Sequence, residues 1–69
     1  MKESELLKIQ HYLRAKYGTD RISVKAGSGK DAPGEVFIGS EFIGPVYRNE
    51  DEGEVSYDFM MSILEEDLG

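Results

Sequence analysis

Cysteine and tryptophan are absent from the 69-residue chain, proline occurs twice and histidine once. Without cysteine there is no disulfide framework, no thiolate zinc site and no thiol nucleophile, and the composition fits a reducing compartment. Stability must therefore come from packing alone. The single histidine, His11, leaves a His-based metal site or a catalytic triad one residue to build on. Cations are scarce as well, since eight Lys+Arg stand against 14 Asp+Glu for a net charge of −6. Such a chain repels phosphate unless its few cations gather on one face, so nucleic acid is not an expected partner. No apolar run approaches a membrane span, and Met1-Lys2-Glu3-Ser4-Glu5 lacks the basic start and apolar stretch of a signal peptide. The expectation is a cytoplasmic protein with neither membrane nor nucleic acid as a partner.

What is present points to a folded domain. Hydrophobic residues make up 39% and charged ones 32%, proportions of a globular chain, and 69 residues suffice for a single small domain over 1–69. From Ser4 to Tyr17 the apolar residues Leu6, Ile9, Leu13 and Tyr17 fall on one narrow stripe, with Lys8, His11 and Arg14 away from it. That spacing predicts an amphipathic helix of about four turns. Ser4 is its expected N-cap with Glu5 in the first turn, Arg14 and Lys16 suit the last turn, and Gly18 can take the left-handed conformation that stops it. A helix of this length is marginal alone and needs a surface to receive its stripe.

The rest of the chain reads as that surface. Arg21-Ile22-Ser23-Val24-Lys25 alternates polar and apolar, the pattern of a half-buried strand. Ala26 to Gly34 is rich in glycine and holds Pro33, Ser28 and Asp31, and it reads as a flexible Gly-rich loop. Glu35-Val36-Phe37-Ile38, Gly39-Ser40 and Glu41-Phe42-Ile43 form a hairpin signature, with Gly then Ser at the turn positions of type II′. In that register Phe37 faces Phe42 and Val36 faces Ile43, so the phenylalanines share one face and the aliphatic residues the other. Gly44-Pro45 predicts a bulge or bend before Val46-Tyr47, because proline cannot donate to a ladder. After a polar turn over Asn49-Glu50-Asp51-Glu52-Gly53, residues Val55 to Leu64 alternate and predict a fourth strand. The rival is a C-terminal helix with Phe59, Met60, Ile63 and Leu64 on one side. The fold class is α+β: an N-terminal amphipathic helix packed on a four-stranded, mostly antiparallel β-meander, αββββ.

The stretch from Gly34-Glu35-Val36-Phe37-Ile38-Gly39 through Ser40-Glu41-Phe42-Ile43-Gly44, then Asp51-Glu52-Gly53 and Ser56-Tyr57-Asp58-Phe59 onward to Leu68, resembles domain of unknown function 3126, a family of short bacterial proteins. The resemblance runs from end to end, including the helix that closes near Tyr17-Gly18, and departs at Pro45, where an aliphatic residue is the family's habit. It implies the domain boundaries and a bacterial cytoplasmic setting. It implies no activity, cofactor or catalytic residue.

Three local features invite a chemical reading. Gly27-Ser28-Gly29-Lys30-Asp31 shares glycines and a lysine with the end of a phosphate-binding loop, but Val24 stands where that motif needs glycine and Asp31 where it needs Ser or Thr. Glu50-Asp51-Glu52 with Glu54 is acidic enough to attract a hard cation, yet an EF-hand register through Gly53 would make Arg48 and Phe59 ligands. The acidic end Glu65-Glu66-Asp67 reads as solvated charge. His11 lies opposite the apolar stripe, and nothing in the sequence brings Asp58 and Glu41 together as an acid–base pair.

No catalytic residue, metal ligand or cofactor is assigned on these grounds, and an enzyme is not expected. The favoured function is a protein–protein interaction module acting as a homodimer, because one helix can cover only one face of a sheet whose hairpin is apolar on both. Candidate interface residues are Val36, Phe37, Ile38, Phe42 and Ile43. The alternative is a small-ligand or divalent-cation binding protein using the Gly-rich loop or the acidic turn. The charge balance makes one prediction directly: fluorescence anisotropy at physiological salt should show no binding to duplex DNA, and micromolar, salt-sensitive binding would contradict it.

Overall fold

The computed structural model describes residues 1–69. A helix α1 (Glu3–Tyr17) is followed by strands β1 (Ile22–Ala26), β2 (Gly34–Ile38), β3 (Glu41–Asp51) and β4 (Glu54–Phe59), and by one 3-10 turn at Glu65–Leu68. The strands form one antiparallel sheet in the order β1-β2-β3-β4, so the meander and the α+β class are as expected. The core is the seam between them. Leu6, Ile9 and Leu13 from α1 bury against Ile22, Val24, Val36 and Val46, with Met1, Ile38, Ile43 and Phe59 packed around.

The helix begins two residues earlier than its sequence suggests, with Lys2 rather than Ser4 as N-cap. The cause is Glu5, whose carboxylate accepts the Lys2 backbone N–H at 3.0 Å and so closes the first turn back to that residue. At the other end Gly18 has φ 66 and its N–H reaches the Arg14 carbonyl, the left-handed stop that was expected. Tyr17, placed on the stripe by spacing, is exposed because the stripe runs off the sheet at the last turn.

The first hairpin turns at Gly39, which has φ 60, while Ser40 keeps negative φ, the sign pattern of type II′. Phe37 opposes Phe42 as expected, but Val36 opposes Gly44, not Ile43. Ile43 is the extra residue of a β-bulge; it stays on the core side as expected, and the one-residue shift brings Val46 onto that side as well. The Gly-rich loop is shorter than its composition implies, Gly27 to Pro33, since Ala26 and Gly34 pair in the ladder. The polar turn also contracts: Asn49, Glu50 and Asp51 pair with β4, and only Glu52 (φ 52) and Gly53 (φ 84) form the reversal.

The fourth strand stops at Phe59 instead of running to Leu64, and residues 60–64 join neither a strand nor a helix. Proline explains the stop. The Met60 N–H donates to the Pro45 carbonyl at 3.0 Å, but Pro45 has no N–H to return the bond, so the ladder loses its reciprocal partner there. The chain then crosses over Gly44, where any Cβ would collide with the Met60 carbonyl.

A Cβ at Gly18 would meet nothing within 4 Å, so replacing this residue tests backbone conformation alone. Gly18→Val should destabilise the fold by about 1 kcal/mol or more. An unchanged urea midpoint would remove the helix stop from the list of determinants.

Candidate functional site

An α-helix is about 10–12 Å across and strands lie about 4.8 Å apart, so one helix shields roughly two strands. In this fold α1 lies along β1, and its side chains also seal the free edge of that strand. Gln10 Oε1 accepts the Val24 N–H at 3.0 Å, and Arg14 Nε donates to the Ile22 carbonyl at 2.6 Å. The other side of the same sheet face stays uncovered. Between α1 and β4 runs an open groove of about 550 Å³, walled by Ile9, Tyr12 and Leu13 on the helix and by Val46, Tyr57 and Phe59 on the sheet. Lys8 and Lys16 stand at its rim, the Lys16 ammonium 5.8 Å from the Tyr12 ring centre.

One polar cluster bridges the far end of this groove. Glu5 Oε2 accepts from Tyr57 Oη at 2.6 Å and from Arg48 Nε at 2.9 Å, while Arg48 Nη1 also donates to Glu50 at 3.2 Å. The Tyr57 hydroxyl, then the Lys2 backbone N–H, and to a lesser degree Arg48 hold the Glu5 carboxyl down at about 2. The same hydrogen bond to Glu5 raises the Tyr57 phenol above its ordinary value. Arg48 is kept protonated by Glu50 first and by Glu5 second. The cluster thus ties the first turn of α1 to the β3–β4 hairpin, and sequence reasoning missed it because its members lie 43 and 52 residues apart.

The candidate interface residues divide between the two faces. Val36 is fully buried in the core beneath α1, and Ile38 and Ile43 are partly buried against that same core, on the helix side of the sheet. Phe37 and Phe42 lie on the opposite, helix-free face, where their rings meet edge to face at 5.7 Å. Lys25 Nζ sits 5.0 Å over the Phe37 ring. Beyond β4 the chain end exposes Met60, Met61, Ile63, Leu64 and Leu68.

The local motifs acquire no chemistry from the fold. The Gly27 to Pro33 loop leads into strand β2, whereas a phosphate-binding loop leads into a helix N-terminus. Glu50 and Asp51 alternate to opposite faces of the hairpin, and no group of three His, Cys, Asp or Glu side chains is arranged to hold a metal ion. His11 is exposed. Glu41 pairs at the start of β3 with Ile38, and Asp58 pairs near its middle with Tyr47, which keeps these two carboxylates apart. No helix is long and apolar enough to cross a membrane.

With this geometry in place, the comparison with known families is decisive on kinship alone. The family model described as "Protein of unknown function (DUF3126)" matches residues 5–67. The chain belongs to the DUF3126 family. It matches no curated protein and no solved structure. The DUF3126 match covers α1 from Glu5 onward, all four strands and nearly all of the chain end, so the groove and the side chains of the Glu5 cluster both fall within the family's matched segment.

The Glu5 cluster has a pH signature. A carboxyl whose folded value lies near 2 against an ordinary 4.5 contributes stability that is complete above pH 4.5 and disappears as pH falls toward 2. Glu5→Gln should therefore be less stable than the parent at pH 6, and the gap should close on acidification through that window. A gap in melting temperature that stays constant from pH 6 to pH 2 would show that Glu5 acts by packing and not by charge.

Proposed function

We propose that this DUF3126 protein is a protein–protein interaction module that acts as a homodimer and has no catalytic role of its own. The observation that carries the reading is the groove: along β4, the sheet face that α1 packs on is apolar and open to water. Only nine of the 69 residues are buried, a slender core for a chain with no disulfide. Tyr12, Val55 and Tyr57 are exposed around the uncovered strand, and covering them by a second copy is a common route to stability for so small a chain.

The groove supports a protein partner better than a small ligand. Ligand pockets place a few convergent polar groups in an apolar wall. Here no polar or charged residue is buried, and the lysines stand at the rim. At the acidic turn no three His, Cys, Asp or Glu side chains are grouped to hold a metal ion.

Light scattering at tens of micromolar should give twice the chain mass of 7.7 kDa. A mass near 7.7 kDa at that concentration would overturn the homodimer.

A further inference from the structure

The two edges of the sheet are treated differently. On β1 the outward Val24 N–H and Ile22 carbonyl are occupied by Gln10 and Arg14 of α1. On β4 no such cover exists. The Met60 N–H points to β3, and the Asp51–Glu54 pair closes the tight turn, so the even-numbered residues of β4 bond to β3. Val55, Tyr57 and Phe59 consequently aim both N–H and C=O away from the sheet. Natural edges are blunted by charge, proline or a bulge; Glu54–Phe59 has no proline or bulge, and its two charges, Glu54 and Asp58, fall on residues that bond to β3, not on the outward-bonding Val55, Tyr57 and Phe59.

We infer that two copies of the chain join along this edge, β4 against β4, in an antiparallel register centred on Tyr57. This rests on the homodimer reading above and specifies its interface. The register follows from self-complementarity. With Tyr57 opposite the partner's Tyr57, Val55 lies opposite the partner's Phe59, and every outward backbone group of the three residues finds a partner. On the groove side this makes a β-branched–aromatic pair on each side of the two-fold axis. On the other side Ser56 faces the partner's Asp58, a hydroxyl opposite a carboxylate. Sliding the pairing to centre on Ser56 would oppose Glu54 to the partner's Asp58, two like charges, and would leave Phe59 without its Val55 counterpart. The joined sheet places the two α1 helices on one face, flanking the axis, and the two grooves merge into a single apolar trough roofed on both sides by Tyr12.

Two variants and one labelling measurement test the arrangement. Val55→Pro removes an N–H that β3 does not use, so circular dichroism and the melting temperature should stay near those of the parent, while self-association weakens at least tenfold. Tyr57→Cys supplies the only thiol in the chain at the two-fold axis, where the facing Cα atoms lie about 5.5 Å apart, within disulfide reach. Mild oxidation should cross-link it, and the control Phe42→Cys on the opposite face should remain uncross-linked. Hydrogen exchange should protect the Val55, Tyr57 and Phe59 amides of the parent in proportion to its dimer fraction. A dimeric parent whose Val55→Pro variant is equally dimeric, with fast-exchanging amides at all three positions, overturns edge pairing and leaves the homodimer standing. A monomeric parent overturns both.

Discussion

Coverage is the constraint on which this fold depends. A helix of 15 residues, about 22 Å long and wide enough for two strands, is the only element available to shield a four-stranded sheet. Its stripe of Leu6, Ile9 and Leu13 is placed over Ile22, Val24, Val36 and Val46, and once it is there β4 has no cover. The open groove, the exposed tyrosines and the free strand edge all follow from that shortage.

The polar contacts are arranged around the same seam. Gln10 and Arg14 flank the apolar stripe of α1 on the β1 side and close the backbone groups of that edge. Glu5 flanks it on the other side and reaches Arg48 and Tyr57 across the mouth of the groove. Exposed ion pairs contribute little individually. A carboxylate accepting a phenol, a guanidinium and a backbone N–H at once is a stronger anchor, and it ties the first turn of α1 to the β3–β4 hairpin.

Proline and glycine set the limits of the sheet. The bulge at Ile43 and the missing donor at Pro45 end the ladder with β4 just where Gly44 leaves room for the chain to cross. The apolar chain end from Met60 to Leu68 is thereby released from a strand that its alternating sequence would otherwise continue. The same device keeps β4 short, with its outward groups confined to Val55, Tyr57 and Phe59.

By itself the sequence determined the elements, because their signals are local: the helical stripe of Leu6, Ile9 and Leu13, the Gly18 stop, the Gly39-Ser40 reversal and the alternation through Phe59 each lie within a few residues of one another. It also determined which hairpin residues share a face, since side chains alternate with period two. Only the tertiary structure decided that Val36 faces the helix and Phe37 faces water, for either face of an apolar hairpin could have received α1. It alone brought Glu5 to Tyr57, sealed one edge with Gln10 and left the other bare. Those outcomes depend on where a helix lands on a sheet, a geometry set by packing between residues far apart in the chain, and periodicity along a sequence carries no record of it.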